Sequence, residues 1–182
     1  MVRNRLNELR LLFLSGEIKC DNSKKIINLM MYLAINNEKK DQYLFINSPG
    51  GSAMYALAIY NMMQFINPDV NTIGLGIAAS MGSMILAGGA IRIALPHLRV
   101  MIRQPVWGYS GWISASDCVR RAEEANEIRK MIRDIYARST KKPSWILERD
   151  MEREYFMSAA EAKEYGIVDH VATDPTTFDK DF

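Results

Sequence analysis

An α/β domain built on parallel strands is predicted by the order of two segment types. QYLFIN at 42–47 and VNTIGLG at 70–76 are short apolar runs of strand character. Each is followed by a segment of helical character, AMYALAIYNMMQF and ASMGSMILA. Strand, helix, strand, helix in succession implies parallel pairing with right-handed crossovers. The 182 residues, 48% hydrophobic and 24% charged, hold one domain with its own core and argue against both disorder and a fibrous repeat.

Asp21, Asn22 and Ser23 offer caps for a first helix through Ile26, Ile27, Leu29, Met30 and Leu33, and the polar INNEKKD loop leads from it to QYLFIN. SPGGS is a turn, and the helix after it is apolar on most of its surface until NPD breaks it. The next strand and short helix are joined by a tight turn. Two short strands follow, IRIAL and RVMIRQ, and then a stretch whose Pro105, Gly108 and Gly111 prevent a regular helix. Over 115–139, Val119, Ala122, Ala125, Ile128, Ile132 and Ile135 recur every three or four residues opposite a face of Arg and Glu, which gives a long amphipathic helix. Pro143 restarts a shorter helix. SAAE at 158–161 has the form of a capping box, Gly166 closes that helix, and IVDHV makes a last strand before an acidic tail.

Several functional classes are disfavoured. A net charge of +2 is too small and too scattered for a nucleic-acid or anionic-membrane surface. Cys20 and Cys118 form no CxxC pair, so neither a disulfide framework nor a cysteine-rich metal site is supported. Residues 70–91 carry no charge and are long enough for a membrane span, but their five glycines and their hydroxyl and amide side chains read better as a buried strand and helix. No cleavable signal peptide and no Arg- and Ser-rich transit segment is expected at the N-terminus.

Chemistry concentrates at Ser80, where a buried strand turns into a helix among small residues, so its hydroxyl is expected to project from the first turn. The amide of Met81 would point out of that helix, and the SPGGS turn would bring a second amide at Gly51. The two together form an oxyanion hole. The plainer alternative is that Ser80 caps the helix and the glycines serve close packing.

FLSGEI, YLFINSPGGS, MQFINPDV, GIAASMGS, LPHLRVMIRQP, DMEREYFMSAAEA and YGIVD resemble the proteolytic subunits of the Clp protease, in spellings close to plastid and cyanobacterial members, from about Leu6 to Val171. The resemblance implies a crotonase-like spiral of repeated β-β-α units with a protruding handle helix. The whole chain, 1–182, would be one domain, with a head at about 1–104 and 150–172 and a handle at about 105–149. It implies stacked seven-subunit rings around a proteolytic chamber, fed with unfolded polypeptide by an ATP-driven AAA+ unfoldase. The chain itself would take no cofactor and no metal, ATP being used by the unfoldase, and would meet neither nucleic acid nor membrane.

By the same resemblance Ser80 is the nucleophile, Gly51 and Met81 carry the oxyanion amides, and Asp169 is the acid of a Ser-His-Asp triad. The base departs from the pattern: the family's MIHQP reads MIRQP, which puts Arg103 at the histidine position. A guanidinium offers no acceptor lone pair and cannot take a proton from Ser80. His97 lies about 20 Å along an extended strand from Arg103, and His170 should face away from Asp169's side. Lys141 and Lys142 read as an exposed pair before Pro143. Arg103 would either pair with Asp169 or turn outward and leave Asp169 to other partners.

Where the family has a glycine pair this chain has Val106, Trp107 and Gly108, and Trp112 follows Gly111; an indole there would block an extended peptide or else pack between rings. Glu152 and Arg153 match inter-ring ion-pair positions. Tyr43, Phe45 and Phe65 match the apolar clefts for the unfoldase, with core packing as their plainer role. The expectation is a silent, ClpR-type subunit in a homo- or hetero-heptameric ring, in a plastid or a cyanobacterial cytoplasm. The rivals are a working serine endopeptidase with another base, and a crotonase-type acyl-CoA enzyme.

Overall fold

The computed structural model describes residues 5, 6, 8–106, 108 and 112–173. In chain order the elements are β1 (Leu11–Ser15), α1 (Cys20–Asn36), β2 (Gln42–Ser48), α2 (Ala53–Phe65), β3 (Val70–Ala79), α3 (Met81–Ala87), β4 (Arg92–Ala94), β5 (Arg99–Ile102), α4 (Ala115–Thr140), α5 (Ser144–Met151), β6 (Tyr155–Ser158), α6 (Ala159–Tyr165) and β7 (His170–Val171). This is the expected α/β architecture, with the long helix as its outlier. Among the described residues no helix is long and apolar enough to cross a membrane.

One sheet runs β1-β2-β3-β4-β7, every neighbouring pair parallel. It forks along β3. Thr72, Ile73 and Gly74 pair with β4, whereas Ile77, Ala78 and Ala79 pair with β5, which carries β6 antiparallel on its other side. Two strands, β1 and β6, are additions to those read from the sequence. The last strand is shorter than IVDHV, because Ile167 and Val168 are buried in the main core and only His170 and Val171 pair with β4.

The uncharged stretch 70–91 is the centre of the molecule. β3 runs straight through Ala79, three residues beyond the expected VNTIGLG, and every residue of α3 is buried. Two of its hydroxyls are satisfied inside the fold: Thr72 Oγ1 donates to the Leu86 carbonyl at 2.7 Å, and Ser83 Oγ lies 2.7 Å from the carbonyls of Ser80 and Met101. α1 starts at Cys20 with Lys19 as its cap, and Asn22 Oδ1 accepts the Lys19 amide at 2.8 Å. α6 has the expected capping box, with Ser158 Oγ accepting from the Glu161 amide and Glu161 Oε2 accepting from the Ser158 amide, and Gly166 ends it at φ 95°. The backbone and side-chain bonds from Ser158 hold the Glu161 carboxyl below its usual range.

α4 is capped by Ser114, whose Oγ accepts the Asp117 amide at 3.1 Å. Its buried residues, Ile128, Ile132, Ile135 and Tyr136, all lie in its second half, where it packs on the core. Val119 and Ala122, from the same predicted stripe, are exposed. The helix therefore roots in the core at one end and is exposed at the other.

Candidate active site

Ser80 is the single residue between β3 and α3, with φ 53° and ψ −118°. A side chain in that region is strained by about 1–3 kcal/mol and persists only where neighbours fix it. Here they do. The Ser80 amide donates to the Met101 carbonyl at 2.8 Å, extending the β3–β5 ladder by one rung. The Ser80 carbonyl accepts from the amides of Ser83 and Met84, at 3.1 and 3.2 Å, and from the Tyr136 hydroxyl at 3.1 Å. Tyr136 is fully buried, and desolvation pushes its hydroxyl far above its usual range, so it stays a donor. The Ser80 side chain makes no capping bond to α3, so the cap role drops out. Its Oγ instead borders a cavity of about 200 Å³ that Gly51, Met81, Arg103 and Val106 also line.

The SPGGS turn reaches Ser80 because β2 and β3 shift register between Ile46 and Ser48, so that Ser48 pairs with Ala78. Gly51 has φ 149°, and a Cβ there would stand 2.4 Å from the Ile18 carbonyl oxygen, so only glycine fits. Ile18 holds the turn on both sides, its amide donating to the Gly50 carbonyl at 2.7 Å and its carbonyl accepting from the Ser52 amide at 3.0 Å. Among the described residues no acceptor takes the amide of Gly51 or of Met81. The two N–H groups sit on the wall that holds Ser80, as an oxyanion hole requires.

Arg103 lies just past β5 and turns inward. Its Nε donates to Ser80 Oγ at 3.4 Å, a long bond, and its Nη1 donates to Glu154 Oε1 at 2.8 Å. Glu154 is not singled out by the sequence, where it sits in the charged run DMERE. The antiparallel ladder explains the pairing: Ile102 faces Tyr155, so the next rung sets Arg103 opposite Glu154. The carboxylate of the constellation is therefore that of Glu154.

The expectation for Asp169 is corrected. Asp169 precedes β7, which pairs with β4 on the other arm of the fork. Its carboxylate accepts from the Arg92 amide and Nε, both at 2.9 Å, and is closed by Arg92 Nη2. Burial alone would raise its pKa, but the Arg92 bonds and charge outweigh burial and hold it below the usual value. Arg92 Nη1 also donates to the carbonyls of Gly166, at 2.9 Å, and Ser139, at 3.3 Å. Neither expected fate of Arg103 is observed, since it neither meets Asp169 nor turns out to solvent.

His97 lies in the exposed turn between β4 and β5, and His170 is exposed on β7. Lys141 caps α4 and is exposed, while Lys142 lies 4.5 Å over the Tyr165 ring. Trp107 and Gly111 fall outside the described residues, and Trp112 is wholly exposed. Glu152 and Arg153 form an exposed bend between α5 and β6, without an ion pair among the described residues. Tyr43 and Phe45 are half-buried around the small cluster of Ile73 and Ile93, with Phe13 stacked on Phe45 at 5.1 Å, whereas Phe65 is 75% exposed at the end of α2.

A family model described as Clp protease matches residues 1–175. The chain belongs to the Clp protease family. It is 50% identical over 175 residues to an ATP-dependent Clp protease proteolytic subunit of Adiantum capillus-veneris, covering 95% of this chain and 87% of that protein. A protein of the same description from Marchantia polymorpha is 51% identical over 173 residues, 94% of this chain and 85% of its own length. One from Lotus japonicus is 50% identical over 175 residues, 95% and 89%.

Within a Clp-type fold, then, this site combines a strained serine elbow, two unclaimed amides and a guanidinium. It can bind an oxyanion. It cannot move a proton from Ser80 through Arg103, because arginine donates through five N–H bonds and accepts through none.

Proposed function

We propose that this chain is a catalytically silent, ClpR-type subunit of the Clp proteolytic core. It builds the wall of a heptameric ring, alone or mixed with active subunits, and passes substrate hydrolysis to those neighbours. The Arg103 Nε–H directed at Ser80 Oγ carries this reading, since a donor stands where acyl transfer needs an acceptor. Similarity to Clp proteolytic subunits supports ring assembly and an AAA+ unfoldase that consumes the ATP and supplies unfolded polypeptide. The bend at Glu152 and Arg153 is the inter-ring contact, Ser80, Arg103, Gly51 and Met81 form the degenerate site with Glu154, and Phe65, Tyr43 and Phe45 receive the unfoldase. The plant relatives favour a plastid.

A fluorophosphonate probe and casein test this reading on a ring assembled from this chain alone. No labelling of Ser80 and no casein breakdown are expected. Stoichiometric labelling together with casein turnover would establish instead a working endopeptidase, the reading that the preserved elbow and amides favour.

A further inference from the structure

The cavity beside Ser80 keeps a chemistry that losing a base does not remove. Arg103 gives Nε–H to Ser80 and Nη1 to Glu154, and among the described residues nothing accepts from its Nη2. Its side chain is 36% exposed and lines the same 200 Å³ cavity as the Gly51 amide, which also has no described acceptor, and the Ser80 hydroxyl. Met54 and Val106, also lining the cavity, are apolar and more than half exposed. The cavity is smaller than the roughly 300–1,000 Å³ of sites that enclose a drug-sized ligand, so it suits one terminal residue of a longer chain.

A cationic fork, an N–H and an O–H beside apolar side chains match a carboxylate that ends a peptide. The last side chain of that peptide would lie on Met54 and Val106. A neutral amide end would forfeit the charge-assisted bonds. Glu154 opposes the incoming charge, but it engages only Nη1 and is itself half-exposed. We infer that the Ser80–Arg103 cavity is a receptor for peptide C-terminal carboxylates, the group that hydrolysis at active neighbours creates. The inference rests on the silent-subunit reading and extends it: this subunit retains products inside the chamber.

The test is fluorescence anisotropy of a ring assembled from this chain alone with a fluorescein-labelled hexapeptide ending in a free carboxylate, against the same peptide amidated. The acid should bind about tenfold more tightly, the scale of one hydrogen bond to a charged group. Arg103→Gln should abolish the preference, and Glu154→Gln should widen it by freeing Nη1. Equal affinity for acid and amide, or a preference that survives in Arg103→Gln, overturns the inference. If Arg103→Gln does not assemble, an unwidened preference in Glu154→Gln overturns it. Mass spectrometry of the bound peptide separates the two readings: cleaved peptide refutes the silent subunit, whereas intact peptide with no acid preference refutes only the receptor.

Discussion

Arg103→His is the substitution that asks how much of the catalytic apparatus survives. Three parts are in place: the Ser80 elbow at φ 53°, the unclaimed amides of Gly51 and Met81, and a carboxylate 2.8 Å from the side chain at 103. An oxyanion hole and binding alone give roughly 10³- to 10⁴-fold over water, and losing a triad member costs on the order of 10⁴- to 10⁶-fold. An imidazole holds its nitrogens nearer the backbone than a guanidinium does, so the carboxylate that met Nη1 must draw back by one methylene. A misplacement of about 1 Å costs on the order of 10²-fold. Arg103→His alone should therefore raise cleavage of a fluorogenic peptide about 10²-fold above background, and Arg103→His with Glu154→Asp about 10⁴-fold. Only the neutral imidazole accepts the Ser80 proton, and a carboxylate beside it raises its pKa above the ordinary ~6.5, so the restored activity should fall as pH drops below about 7. Background rates from both variants, in rings of normal native mass, would refute the argument that the missing base is what silences the site.

Further outcomes follow from the same geometry. In the Arg103→His background, Glu154→Ala should abolish peptide cleavage and Asp169→Asn should leave it, which a peptidase assay of both reads directly. Because the folded pKa of Asp169 is depressed by Arg92, its stabilising effect is present above the unfolded value near 3.9 and is lost as pH falls through the folded one, so Asp169→Asn should flatten the acid limb of Tm against pH in thermal melts. Tyr136→Phe removes a buried donor from the Ser80 carbonyl and should cost ~1–2 kcal/mol, a Tm fall of a few degrees, and Gly51→Ala should cost at least ~2 kcal/mol because its Cβ meets Ile18 backbone; wild-type denaturation curves would contradict either contact.

Local pattern made most of the elements legible. Alternating strands and helices, the SAAE cap, Gly166 and the periodicity of α4 each depend on neighbours within a few residues, and each stands in the structure, the α4 stripe in its second half alone. Ser80 was legible for the same reason, as a hydroxyl at a strand-to-helix junction among small residues. Glu154 and Asp169 were not, because which carboxylate meets Arg103 depends on strands far apart in sequence. Glu154 sits in a run of charges that reads as solvated surface, and only the register of β6 on β5 turns it toward Arg103. A faint clue was available: RVMIR and EYFMS are two strand-like runs with opposite charges at the ends that an antiparallel pair brings together. Asp169 lies in a segment that matches the family well, but its partner Arg92 is 77 residues away, inside the strand-like run IRIAL, which carries no local sign of the pairing.

Arg92 also bears on how force travels through the molecule. One side chain fastens the foot of α4 at Ser139, the end of α6 at Gly166 and the approach to β7 at Asp169. With that rivet and the buried turns from Ile128 to Tyr136, the helix cannot swivel at its base. Residues 115–127, about 20 Å of helix with no buried member, are the arm that bends when a load is applied. A push delivered at the tip is taken up as flexure of that arm before it disturbs the strand that ends at Ser80.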